Sequence, residues 1–204
     1  NMDYNFCKKN KIHVLSTSPV FAQPVAEMSL GLLLSIARSI HIAHNDFINK
    51  KEKYGGEISQ KNFLIKNKTF GFIGFGDLAK ATLPLIKPFA NKILAYDPWI
   101  PKTQMKSKNI YSLSLNRVMK NSDIIFVFAT STTTNKAMIN HNNLNLMKDN
   151  STILIMSRAT VVNFRDLYKF LKNRNVFAGI DVYPKEPFPK NHPLRKLKNV
   201  IFSP

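Results

Sequence analysis

The chain has 204 residues, 44% hydrophobic and 21% charged, enough to bury one sizeable core and a fragment of a second domain, and a composition that excludes global disorder. The formal net charge of +18 comes mostly from Lys scattered among Asn. With no run of like charges long enough to make a binding stripe, solvated faces account for it, and neither a nucleic-acid nor a membrane partner is expected. Cys7 is alone, which excludes an internal disulfide and fits a reduced, cytoplasmic setting. The most apolar run, Leu30 to Ala37, is far shorter than the roughly 20 residues of a membrane span.

In chain order, Ile12 to Leu15 reads as a short strand. Pro24 is suited to the first helical position, and the apolar spacing from Ala26 to Ile48 predicts one long amphipathic helix over Pro24 to Lys50, with Gly55-Gly56 in the loop beyond it. Thr69 to Ile73 is an apolar strand, followed by the turn Gly74-Phe75-Gly76 and a helix from Asp77 to Ala90, in which Pro84 and Pro88 threaten a kink. A second apolar strand, Lys92 to Tyr96, ends at Asp97. Ile110-Tyr111 is a short strand, Leu115 to Lys120 a helix, Asp123 to Phe128 a buried strand and Thr130 to Asn135 a polar turn. Thr152 to Met156 is another strand, Asn163 caps a helix with Phe164, Leu167, Phe170 and Leu171 on one face, and strands follow at Val176 to Asp181 and Val200 to Ser203. Strands alternating with helices predict an α/β fold, a Rossmann-type doubly wound parallel sheet with flanking helices.

The segment Thr69 to Asp97 is the βαβ unit that carries chemistry. Gly74 permits a tight turn, and Gly76, lacking a Cβ, lets a pyrophosphate approach the free N–H groups at the helix start. Ala79 is small enough for the helix to pack on the strand. Asp97 follows Gly74 by 23 residues (97 − 74), near the spacing of about 20 for a carboxylate that takes the adenosine ribose hydroxyls. Its charge repels a 2′-phosphate, so NAD is expected over NADP. Ligands of such sheets sit beyond the carboxyl ends of the strands, which singles out Gly74, Asp97, Ala129, Arg158 and Asp181, with Glu186 brought to the same rim. The five histidines show no metal-ligand spacing, and no metal is expected.

Six ordered segments, PVAEMSLGLLLSIAR, GFIGFGDLAK, LAYDP, SRATVVNFRDL, AGIDVYPKEP and NVIFSP, resemble the D-isomer-specific 2-hydroxyacid dehydrogenases, relatives of phosphoglycerate dehydrogenase and glyoxylate/hydroxypyruvate reductase. The resemblance implies that residues 1–22 end a substrate domain, that residues 23–204 form the NAD-binding domain, and that the protein is a homodimer. It implies that Arg158 grips a substrate carboxylate, with a planar fork Lys does not reproduce. Glu186 would orient a catalytic histidine, Asp181 would take the nicotinamide amide, and Asp77 and Leu78 would meet the pyrophosphate through their backbone. The family follows NVIFSP with that histidine, so the resemblance puts it just after Pro204 and predicts a segment that binds NAD without turnover by itself. Ile155, Ala159, Phe128 and Thr130 depart from the Asn, Gly, His and Pro common in the family. The expected activity is hydride exchange between NAD and a 2-keto or D-2-hydroxy acid; the alternative is an NAD-sensing regulator resembling the family's corepressors.

Overall fold

The computed structural model describes residues 2–55 and 62–204, and Gly56 lies outside the described residues. Seven strands form a single sheet: β1 (Lys68–Ile73), β2 (Ala90–Tyr96), β3 (Tyr111–Ser112), β4 (Ile124–Val127), β5 (Thr152–Ile155), β6 (Phe177–Ile180) and β7 (Val200–Phe202). Their order is β3-β2-β1-β4-β5-β6-β7, and every pairing is parallel. The winding reverses between β1 and β4, the switch point at which such sheets open a crevice.

Among the described residues the α-helices are α1 (Tyr4–Lys9), α2 (Ser18–Ala37), α3 (Ile40–Ile48), α4 (Asp77–Ile86), α5 (Lys102–Lys106), α6 (Leu115–Asn121), α7 (His141–Leu144) and α8 (Phe164–Asn173). Alternation along the strands gives each face its own core. Ile125, Val127, Ile153 and Ile155 meet Val118 and Met119 of α6 and Leu167, Phe170 and Leu171 of α8. On the other face, Phe70, Phe72, Phe126 and Leu154 meet Leu33 and Ile36 of α2, Ala79 and Ile86 of α4, and Met105 of α5. The strands read as continuous apolar runs because both of their faces are covered.

Local chemistry corrects several expectations. No strand forms at Ile12 to Leu15, since a strand needs a partner and among the described residues none pairs with it. The chain before it instead makes α1, whose first N–H groups are taken by Asp3 Oδ1. The expected single long helix is two: Ser39 adopts φ 51°, a left-handed conformation that interrupts the helical hydrogen-bond ladder. Its start is also earlier, at Ser18 with Pro19 in the first turn, and Pro24 lies inside it. Helix α2 is, by length and composition, long and apolar enough to cross a membrane, contrary to the reading of the Leu30–Ala37 run. Leu32, Leu33, Ile36 and Ala37 are buried in the sheet core. Helix α4 stops at Ile86, and a 3-10 turn over Lys87–Phe89 holds Pro88. Helix α7 was not legible because four residues carry no periodicity. Its signal is the capping box of Asn140 and Asn143.

Candidate dinucleotide site and substrate cleft

All seven strands point the same way, so the residues that follow them share one rim. Across the sheet the order is Asp97 after β2, Gly74 after β1, Ala129 after β4, Arg158 after β5 and Asp181 after β6. Backbone bonds stitch this rim together: Gly74 N donates to Tyr96 O (2.8 Å), Phe128 N to Ile73 O (2.8 Å) and Asp181 N to Ile155 O (3.0 Å). Ser157 Oγ donates to Ala129 O at 3.1 Å.

The two glycines do different work. Gly74 has φ 89°, and a Cβ there would lie 2.6 Å from Ala129 N, so backbone conformation and the close approach of the chain after β4 both demand glycine. Gly76 is exposed, and a Cβ built on it meets nothing within 4 Å. The space above it is open. Gly76 is also the N-cap of α4 and brings no side-chain cap, so the first N–H groups of the helix, those of Asp77 and Leu78 among them, have no intrahelical acceptor. Asp77 places a carboxylate in that first turn, and Ala79 is fully buried against the sheet.

Asp97 closes the cradle. Its Oδ2 accepts from Phe75 N at 2.7 Å, and its Oδ1 accepts from Trp99 N at 2.8 Å and Ile100 N at 3.1 Å. A carboxylate offers about four acceptor positions, so these bonds fix its orientation and leave capacity for a hydroxyl. An open glycine cap, unpaired helix N–H groups and an oriented acid suit the pyrophosphate and ribose of a dinucleotide.

At the other end of the rim is a cleft of 1030 Å³ whose lining includes Arg158, Asp181, Tyr183, Glu186, Lys190 and Arg195. Arg158, Asp181 and Glu186, chosen from the sequence, are thus brought together; Gly74, Gly76 and Asp97 do not line this cleft. Arg158 is exposed, and its Nη1 donates to Ser157 O at 2.9 Å. Glu186 is exposed, precedes a cis proline bond, and accepts from Tyr183 N at 3.3 Å. Burial pushes the Asp181 carboxyl above its ordinary range; a hydrogen bond from Ser203 opposes this and the charge of Glu186 adds to it. Tyr183 was missed in the sequence. Its single hydroxyl proton is shared between Ser203 O (2.6 Å) and Ile180 O (2.9 Å), tying the end of β6 to the end of β7, and burial raises its pKa, with Asp181's charge adding to it. Only the aromatic at that position, two residues past Asp181, could have drawn attention to it.

His192 does not line the cleft; its Nδ1 accepts from Leu194 N at 3.2 Å, capping a 3-10 turn. Among the described residues no group of three His, Cys, Asp or Glu side chains is placed to hold a metal. The departures at Phe128 and Ala159 have packing explanations. Phe128 is buried and stacks on Phe72 and Phe126, and Ala159 occupies a 3-10 turn without a positive φ.

Residues 30–204 match the family model described as D-isomer specific 2-hydroxyacid dehydrogenase, NAD binding domain. The chain belongs to this family. Similar members are the D-3-phosphoglycerate dehydrogenase of Methanocaldococcus jannaschii, 31% identical, and the hydroxypyruvate reductase of Thermotoga maritima, 32% identical; each alignment covers 100% of this chain. The chain spans 38% of the first relative's length and 66% of the second's. Among solved structures, a phosphoglycerate oxidoreductase from Rhizobium etli superimposes with a TM-score of 0.87 at 37% identity, covering 100% of this chain and 65% of that one. The family's cofactor is NAD, and the rim described above is its NAD-binding domain's own.

Proposed function

We propose that the protein is an NAD-dependent oxidoreductase that interconverts a small 2-keto acid and the corresponding D-2-hydroxy acid. The observation that carries this reading is the meeting of Arg158, Asp181 and Glu186 in one cleft, on the rim that also holds the glycine cradle. The bound nicotinamide supplies or accepts the hydride. The chain's own residues bind and orient. Gly74 and Gly76 shape the loop, the N–H groups of Asp77 and Leu78 hold the pyrophosphate, and Asp97 takes the ribose hydroxyls. Ala129, tied to Ser157, forms the floor between the two halves, and Asp181 accepts from the carboxamide of the nicotinamide. Arg158 grips the substrate carboxylate through two parallel N–H bonds, which fixes the carbonyl carbon against the ring. Glu186 orients a histidine and, as an anion, favours its protonated form.

Residues 1–22 are proposed as the end of the substrate domain. Helix α1 buries no residue, and Met2, Tyr4, Phe6 and Leu15 are exposed apolar groups in want of a covering surface. A homodimer in the cytoplasm completes the proposal: Ile40, Phe47 and Ile48 of α3 are exposed together, as at a subunit contact.

The test is a two-stage calorimetric titration, first with NADH and then with glyoxylate or hydroxypyruvate into the loaded protein. Arg158→Ala is expected to keep NADH binding and lose the keto acid, with Arg158→Lys restoring little. Absence of any NADH heat, or keto-acid binding indifferent to Arg158, would overturn the proposal.

A further inference from the structure

One wall of the cleft is built from two segments that leave neighbouring strands. The first follows β6 and carries Tyr183 and Glu186; the second follows β7 as Ser203 and Pro204, and Glu186 and Pro204 line the same cleft. Strand β7 is an edge of the sheet and, among the described residues, pairs with β6 alone. Past Phe202 the chain is therefore held from one side, and such ends fray readily. Tyr183 supplies the missing support. Its hydroxyl proton is shared between Ser203 O at 2.6 Å and Ile180 O at 2.9 Å, while Ser203 N donates to Ile180 O at 2.9 Å. Both main-chain polar groups of Ser203 are thus pinned, and Pro204, with φ fixed by its ring, leads from that buried residue into the cleft. The main chain of Tyr183 holds the acid: its N–H donates to Glu186 Oε1 at 3.3 Å, the carboxylate's one hydrogen bond among the described residues. A single residue therefore sets where Glu186 stands relative to the chain at Pro204.

We propose that Tyr183 is a positioning residue that fixes the separation between Glu186 and a histidine carried on the segment into which Pro204 leads. The inference rests on the reading of Glu186 as the acid that orients this histidine, and adds the group that keeps the two in register. A hydrogen bond between imidazole and carboxylate tolerates only about 2.7–3.2 Å between heavy atoms. Two segments leaving different strands, one of them an edge strand, keep such a distance only with a tie between them. The hydroxyl is the part that matters. The ring packs against Phe188 and Phe202, with centroids 4.7 Å and 6.5 Å away, and a phenylalanine would make the same contacts without the tie.

The test is Tyr183→Phe in the full-length protein. The variant is expected to bind NADH as the wild type does and to reduce glyoxylate or hydroxypyruvate with a kcat lower by about tenfold. The alkaline limb of its kcat–pH profile should move down by about one unit, because a carboxylate held less closely favours the protonated imidazole less. Lost stability alone lowers the amount of folded enzyme and leaves that limb in place. Asn163→Ala, which removes a helix cap away from the cleft, is the control and should keep the wild-type limb. Amide exchange at Ser203 should also quicken in Tyr183→Phe. Wild-type kcat and limb in Tyr183→Phe, unchanged exchange at Ser203, or a limb that moves equally in the control would each overturn the proposal. If the wild type binds NADH and turns over no keto acid, the reading of Glu186 itself fails and this inference falls with it.

Discussion

Asp97 Oδ2 accepts a 2.7 Å hydrogen bond from the backbone N–H of Phe75, so the acid at the end of β2 and the glycine turn at the end of β1 are parts of one structure. The residue that would recognise the ribose also shapes the loop that would hold the phosphates. Asp97→Ala is therefore expected to weaken NADH binding at least tenfold and also to lower stability by about 1–3 kcal/mol, since three N–H groups lose a charged acceptor. Asp97→Asn keeps part of the turn but removes the charge, so the affinity for NADPH relative to NADH should rise. Calorimetry beside urea denaturation separates the two effects. A variant that loses affinity with no loss of stability would contradict the dual role.

Gly74 and Gly76 should respond oppositely to the same substitution. Gly74→Ala forces a Cβ to within 2.6 Å of Ala129 N at φ 89° and is expected to destabilise the fold by more than about 2 kcal/mol. Gly76→Ala meets nothing within 4 Å; it should melt within a few degrees of wild type and yet lose NADH, because its methyl group fills the approach to the helix N–H groups. A pair of thermal melts with matched titrations checks this.

The half-buried position of Asp181 gives stability a pH dependence. Its folded pKa is raised above the ordinary 3.8, so the folded state holds the proton more tightly than the unfolded chain. The contribution is fully present below 3.8 and is lost as pH rises through the raised value. Asp181→Asn, which cannot ionise, should match wild-type stability at the acid end and exceed it near neutrality. Denaturation midpoints for both proteins at several pH values between about 4 and 7 measure the gap. A gap that does not widen with pH would refute the assignment.

Asn163 Oδ1 accepts from Arg165 N (3.1 Å) and Asp166 N (3.2 Å) at the start of α8. Asn163→Ala should cost about 1 kcal/mol of stability and Asn163→Asp almost none. NADH affinity should be unchanged in both, because this cap belongs to the helix and not to the rim.

The elements legible in the sequence were those whose signal is local. Continuous apolar runs marked the buried strands, Asn163 marked the start of α8, and Gly74, Gly76 and Asp97 marked the cradle by spacing along one βαβ unit. The absence of a strand at Ile12 to Leu15 was not legible, because pairing depends on what lies across space, and the break at Ser39 carries no local Gly or Pro signal.

By itself, then, the sequence determined the alternation of strand and helix, and with it a parallel sheet whose carboxyl-end residues share one rim. Only the tertiary structure decided that Arg158, Asp181 and Glu186 line one cleft, that Tyr183 reaches Ser203, and that Asp97 holds the glycine turn. The reason is physical: periodicity and turn chemistry act over a few residues, whereas the bonds from Tyr183 to Ser203 and from Phe75 to Asp97 join segments 20 or more residues apart, which meet only when packing closes the sheet.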